Sequence, residues 1–226
     1  MTYQLCDLAW HKALGGSEAE AGEVQGLMGE AIRLAAEARK EHCEKTGRRA
    51  LVSLSLGPYG AALANGAEYT GDYPSAVDLA DFHAHRLRQA MTSLCFDSDV
   101  DLVAFETIPR LDEAQAILHA LEAVAREQKA ERKLPAAYIS FVFPPEADGQ
   151  LPGNGGKHGV KDVVSLVANQ QHSKWPIAGL GVNCTKMFIL EKVMRQLSEI
   201  DSSAGSKHLH LFVSPNPPCF PSSHSL

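Results

Sequence analysis

No two of the five cysteines (Cys6, Cys43, Cys95, Cys184 and Cys219) form a CxxC pair, and their odd number and scatter exclude a disulfide framework. Reduced thiols fit a cytosolic setting. The sequence also lacks any run of lysine or arginine long enough to mark a nucleic-acid or membrane surface. Its 21 basic residues stand against 27 acidic ones, a formal net charge of −6, so a small molecule is the default partner. No apolar stretch approaches the ~20 residues of a bilayer-spanning helix, and Met1-Thr2-Tyr3-Gln4-Leu5-Cys6-Asp7 lacks the basic-then-apolar order of a secretory leader. The expectation is a soluble, cytoplasmic protein that binds neither nucleic acid nor membrane.

What is present is a regular alternation. Apolar residues make up 45% of the 226 and charged residues 21%, the composition of one large α/β domain. Ser17-Glu18-Ala19-Glu20 carries the spacing of a capping box, and Val24, Leu27, Met28, Ala31, Ile32, Ala35 and Ala38 recur at helical steps, which predicts a long helix ending near Thr46-Gly47. Ala50 to Leu56 reads as an alternating strand stopped by Gly57-Pro58-Tyr59-Gly60. The glycine- and tyrosine-rich loop that follows, through Tyr73, is costly to order unless it covers something. A helix is predicted over 75–94. His83 and His85 lie two apart on it and so point roughly 200° apart; they cannot share a metal and are assigned to packing or surface.

The pattern then repeats. Val100 to Phe105 is an apolar strand, Glu106-Thr107-Ile108-Pro109 ends it, and 111–128 is an amphipathic helix. Ala136 to Phe143 is a third strand, followed by a glycine-rich loop over 144–159 and a helix ending near Asn169. Trp175 to Val182 is a fourth strand with its helix over 186–197, and His208 to Val213 is a fifth. Five strands with four intervening helices imply parallel pairing with right-handed crossovers. No GxGxxG follows the first strand, and special residues fall after several different strands, which favours a (β/α)8 TIM-type barrel over a doubly wound sheet. Residues 1–213 form this domain, and the proline- and serine-rich 214–226 is expected to be a disordered tail.

Two residues carry chemistry in this frame. Cys184, in Gly179-Leu180-Gly181-Val182-Asn183-Cys184-Thr185, ends a buried strand at a small-residue turn, where α/β folds gather active-site groups; a small buried hydrophobe is the other reading. Glu106 directly follows a buried run, and a carboxylate there needs either a protein cation or a cationic substrate group. Both should stand on the same rim of the sheet.

Ser55-Leu56-Gly57-Pro58-Tyr59-Gly60-Ala61 with Glu68-Tyr69-Thr70-Gly71-Asp72-Tyr73, Phe105-Glu106-Thr107-Ile108-Pro109, and Gly181-Val182-Asn183-Cys184 together resemble the homocysteine S-methyltransferase family. The likeness is nearest to its branch using S-methylmethionine or S-adenosylmethionine. Thr2-Tyr3-Gln4 is similar to the end of the family's second strand and Pro215-Asn216 to the end of its seventh. The resemblance implies a TIM-type barrel, a catalytic Zn2+, and methyl transfer from a sulfonium donor to zinc-bound homocysteine thiolate, giving methionine. By the same resemblance Cys184 is a zinc ligand and Glu106 meets the homocysteine amino group. Gly57, Pro58, Tyr59 and Asn183 complete the substrate-binding set, with the loop from Glu68 to Tyr73 shielding it.

The sequence departs from the family pattern at both ends. The opening Asp-Gly-Gly strand and the closing Gly-Gly-Cys-Cys strand have no counterpart, so two of three zinc ligands are absent, and Cys219 in Pro218-Cys219-Phe220-Pro221 has no adjacent cysteine. The chain therefore reads as a truncated member with five to six of eight strands. Its sheet is expected to stay open, its first and last strands exposing unpaired N–H and C=O groups beside apolar residues such as Leu51, Leu54, Leu211 and Val213. Two readings follow: an S-methyltransferase, or a non-catalytic barrel remnant that binds weakly or acts through association with another chain.

Overall fold

The computed structural model describes residues 2–15, 22–74, 76–170, 173–204 and 210–214. In chain order it holds α1 (Asp7–Ala13), α2 (Glu23–Thr46), β1 (Ser53–Leu56), α3 (Tyr59–Leu63), α4 (Ala67–Thr70), α5 (Leu79–Met91), α6 (Phe96–Asp99) and β2 (Leu102–Ile108). There follow α7 (Leu111–Glu127), β3 (Ala136–Phe141), α8 (Gly153–Gly156), α9 (Val160–Ala168), β4 (Ile177–Asn183), α10 (Met187–Ala204) and β5 (His210–Ser214). The sheet order is β1-β2-β3-β4-β5 and every pairing is parallel. A sheet whose order never reverses keeps its right-handed crossovers on one face, and this architecture is compatible with part of a TIM-type barrel.

The period-two pattern of the strands decides which face the helices cover. Leu54, Leu56, Val103, Phe105, Ala137, Ile139, Phe141 and Val182 belong to one buried cluster with Met28 and Ile32 of α2, Leu87 and Met91 of α5, Ile117 and Leu121 of α7, Val163 of α9 and Val193 of α10. The alternate positions, Ser53, Ser55, Ala104, Tyr138, Ser140, Gly179 and Gly181, are small or polar and face the other way. That is the sequence signature of a sheet with an apolar back and a working front.

On the outer strands Leu54 joins Ile32 in the core, while Leu51, Leu211 and Val213 are exposed. Two expectations are revised. Strand β2 does not stop before Glu106; it runs to Ile108, and Pro109 ends it. The loop after β1 contains two short helices, α3 and α4, and α1 is an element that the sequence pattern did not reveal. The capping-box residues 17–20, Cys219, and the tail beyond Ser214, with Pro215-Asn216, lie outside the described residues.

One buried side chain ties the N-terminal segment to the sheet. Arg86 of α5 is 1% exposed, and its guanidinium donates to the carbonyls of Leu5 (3.1 Å), Gly57 (2.7 Å), Thr2 (3.1 Å) and Tyr3 (2.8 Å). Burial lowers its pKa to about 10, partly offset by nearby acidic groups. Around it, Gly57 N–H donates to Tyr3 O at 2.8 Å and Thr2 Oγ1 donates to Ser55 O at 2.7 Å, so residues 2–4 lie along the free edge of β1. Replacing Arg86 by leucine would strand four carbonyls, at a cost of about 3–5 kcal/mol. Arg86→Lys should recover only part of this, because one ammonium cannot span the four acceptors. Urea denaturation followed by circular dichroism measures both.

Candidate functional site

The front of the sheet delivers Glu106 at its C-terminal rim. Its carboxylate accepts from Ser55 Oγ at 3.1 Å and from the Tyr138 hydroxyl at 3.3 Å, and it makes no ion pair among the described residues. Burial, with the charge and hydrogen bond of Glu106 in second place, pushes the Tyr138 phenol up to about 12, so it stays a donor. The Tyr138 ring stacks on Phe212, centroids 4.0 Å apart and planes 9° apart. Strand β4 lies between them with Gly179 opposite Tyr138 and Gly181 opposite Phe212; a Cβ at Gly181 would stand 2.8 Å from Phe212 O and 2.9 Å from Ser140 Oγ. The two glycines leave room for the ring pair.

Cys184 comes to the same rim through a distortion in each of two strands. The pairing of β2 with β3 shifts register between Phe105 and Ile108, and Thr107 adopts φ 63; Cys184, one residue past β4, adopts φ 51. A left-handed backbone costs a β-branched or other non-glycine residue about 1–3 kcal/mol, and such strain persists only where neighbours over-determine it. Asn183 is the neighbour that does so. Its Oδ1 accepts from Thr107 N–H (2.9 Å) and Ser140 Oγ (2.7 Å), and its Nδ2 donates to Thr107 Oγ1 (2.7 Å) and Cys184 Sγ (3.4 Å). Thr107 Oγ1 in turn donates to Cys184 Sγ at 3.7 Å. Asn183 and Cys184 are thus brought to Thr107, the residue next to Glu106.

Gly57, Pro58 and Tyr59 stand at the base of the loop instead. Gly57 holds Tyr3, Pro58 precedes α3, and the Tyr59 ring meets Tyr73 at 5.5 Å and Phe82 at 5.2 Å, edge to face. The loop is pinned from below by Glu113 of α7, a fully buried carboxylate. It accepts from Tyr59 N–H (2.7 Å) and the Tyr73 hydroxyl (2.6 Å) and faces His83 Nε2 at 3.1 Å. His83 is fully buried, with Nδ1 unpartnered, and burial holds its pKa below the ordinary value against the pull of Glu113. Arg110 caps the outer end of the loop, donating to Gly71 O at 3.0 Å with its guanidinium 4.9 Å from the Tyr73 ring centroid.

Tyr69 of this loop lies within electrostatic reach of Cys184, and Tyr3 of the N-terminal segment comes close to Thr107. Burial raises the pKa of both phenols, so each hydroxyl remains protonated. Sequence reasoning missed Tyr3, Ser55, Thr107, Tyr138, Ser140 and Glu113 as rim or support residues. For Ser55, Tyr138 and Ser140 a signal existed, since each is the polar member of an alternating strand.

Among the described residues no group of three or more His, Cys, Asp or Glu side chains could hold a metal. Cys184 is the one soft donor at the rim, and its neighbours Thr107, Asn183, Tyr69 and Tyr3 are not the thiolate or imidazole ligands that zinc selects. The described residues therefore do not fit a catalytic zinc, which takes three protein ligands.

The family model described as homocysteine S-methyltransferase matches residues 1–223. Homocysteine S-methyltransferase 2 of Arabidopsis thaliana is 31% identical over 195 residues, covering 80% of this chain and 52% of its own length. Homocysteine S-methyltransferase of Escherichia coli (strain K12) is 31% identical over 195 residues, covering 85% and 54%. Homocysteine S-methyltransferase 1 of Zea mays is 35% identical over 182 residues, covering 76% and 50%. The chain spans about half the length of the curated relatives it matches.

Two outcomes test this geometry. Asn183→Ala leaves the Thr107 N–H and Ser140 hydroxyl unpaired in a buried site and should cost about 2–3 kcal/mol in chemical denaturation. The unfolded chain takes up a proton on His83 near pH ~6.5 that the folded chain resists, so stability is full above that pH and falls as pH drops below it. His83→Gln, which keeps an N–H for Glu113, should flatten the fall in melting temperature between about pH 7.5 and 5.

Proposed function

Because the chain belongs to the homocysteine S-methyltransferase family, we propose that its rim binds homocysteine and serves methyl transfer from a sulfonium donor, S-methylmethionine or S-adenosylmethionine, to the homocysteine thiol. The sheet is then the contiguous middle of a TIM-type barrel. The observation that carries the reading is Glu106, a carboxylate near the C-terminal end of its strand with two hydroxyl neighbours and no ion-pair partner among the described residues. An ammonium group supplies what Glu106 lacks, and the oxygens of Ser55 and Tyr138 can accept its remaining N–H donors.

In this reading homocysteine enters with its amino group on Glu106 and its sulfur toward Cys184. Its sulfur forms a bond to the donor methyl as the donor S–CH3 bond breaks; the electron pair of that bond stays on the donor sulfur, which becomes a neutral thioether. The thiol proton passes to solvent, and methionine is the product. The loop carrying Tyr69, anchored through Tyr73 and Glu113, excludes water from the rim. In the resemblance zinc would supply the thiol activation, and Cys184 is the one family ligand among the described residues.

A second reading rests on that same incomplete donor set. It is a homocysteine-binding portion of the barrel, non-catalytic alone or completed by another chain. Both readings predict that Glu106→Gln weakens homocysteine binding by about 10- to 100-fold in calorimetry. They differ in methionine formation from homocysteine with each sulfonium donor, and in metal content. Sub-stoichiometric zinc after dialysis against a mild chelator, with no methionine formed, favours the second. Stoichiometric zinc lost in Cys184→Ala, with methionine formed, favours the first. Unchanged homocysteine affinity in Glu106→Gln overturns both assignments of that residue.

A further inference from the structure

Three carboxylates serve the rim and its loop, and they differ in how far the protein satisfies them. Both oxygens of Glu106 and both of Glu113 receive donors, whereas Glu68 Oε2 is buried with no hydrogen-bond partner. Glu68 also makes no ion pair among the described residues. A buried carboxylate oxygen without donor or cation is rare and asks for an explanation in terms of a missing ligand.

Its place is fixed by close packing. A Cβ at Gly60 would lie 2.5 Å from both Ala67 C and Glu68 N, so only glycine lets the backbone of α4 press onto α3 and set Glu68 at this depth. Beside it, Tyr69 faces Cys184 and Tyr3 approaches Thr107, and Glu68 is within electrostatic reach of both phenols. One bare carboxylate oxygen and two tyrosines are therefore gathered by the loop and the N-terminal segment near Cys184.

We infer that Glu68, Tyr69 and Tyr3 form the subsite that holds the positively charged sulfur of a sulfonium methyl donor. The inference rests on the methyl-transfer reading for its chemistry. A sulfonium spreads its charge over sulfur and the attached carbons and has no N–H or O–H to donate. It is recognised by unpaired negative charge and by ring faces, as quaternary ammonium ions are, and not by a hydrogen-bond acceptor already in use. Glu68 offers the former; Glu106, framed by two hydroxyls, offers a hydrogen-bonding ammonium site. When the methyl moves, the donor's S–CH3 bond breaks with its electron pair kept on the donor sulfur, and the methyl bonds to the homocysteine sulfur. The spent donor is a neutral thioether with no charge for Glu68 to hold, which favours its release.

The test is binding by the full chain in the absence of homocysteine, comparing S-methylmethionine with methionine and S-adenosylmethionine with S-adenosylhomocysteine. Each pair differs by one methyl and one positive charge. Wild-type protein should prefer the charged member of at least one pair by 10-fold or more, and the pair showing it identifies the donor. Glu68→Gln should reduce that preference to 3-fold or less, and Glu68→Asp, which keeps the charge but withdraws it by one methylene, should give an intermediate value. Glu106→Gln, at the position assigned to the homocysteine amino group, should leave the charge preference as it is in wild type. A charge preference unchanged in Glu68→Gln, in protein whose thermal melt matches wild type, overturns the inference, as does no preference in either pair. Methionine formation separates the two levels. Sulfonium preference lost in Glu68→Gln without any methionine formed leaves the subsite standing and the methyl-transfer reading fallen; methionine formed with a preference indifferent to Glu68 does the reverse.

Discussion

A single guanidinium, that of Arg86, holds the N-terminal segment against the sheet, and the rim depends on it. Four backbone carbonyls from two separate stretches, 2–5 and the turn at Gly57, converge on a side chain that water does not reach. Such a group is tolerable in the interior only because the acceptors are numerous and in the plane of its fork, and arginine alone has that fork. With residues 2–4 fixed beside β1, Tyr3 reaches Thr107, and Gly57 is committed to the start of the loop that carries Tyr69. The positive charge is spread over dipoles rather than paired with a carboxylate, so the acidic groups of the rim stay unneutralised.

The rim itself follows from strand alternation interrupted at two points. Regular pleating puts Ser55, Tyr138 and Ser140 on the front and the apolar partners at the back, in one register across the sheet. Pleating alone would leave Thr107 and Cys184 elsewhere. The register shift in β2 and the left-handed residues at Thr107 and Cys184 redirect both, and the Asn183 side chain pays for the departure by satisfying Thr107 twice. Strain and polar satisfaction are therefore located in the same few residues, next to the thiol.

The five strands and four crossover helices were legible because period-two and period-3.6 patterns leave their mark over many residues, as in Leu54/Leu56 and Val103/Phe105. The order and direction of the strands followed from the alternation of element types. Glu106 and Cys184 were legible as polar or reactive residues at the ends of apolar runs. What was not legible depends on contacts between distant segments. His83 and Arg86 sit among the charged residues of an amphipathic helix and look like its wet face, yet both are buried because the N-terminal segment and Glu113 cover them. The cover that α2 gives Leu54 on the outermost strand has no local signature. The end of β2 was misplaced because a bulge carries no periodicity.

The sequential order of the sheet has a consequence for how the rim comes into being. Each strand pairs with the one made just before it, so every pairing closes over the shortest stretch of chain that the crossover allows, and assembly can keep pace with synthesis from the first strand onward. The N-terminal segment, Arg86 and Glu106 all precede the end of β2 in the chain. The thiol arrives two strands later. During the interval Thr107 has no Asn183 to hold it, so its strained backbone is free to relax, and the rim acquires its final shape only when the fourth strand docks. A chain halted before that point carries the carboxylate of Glu106 without the thiol of Cys184.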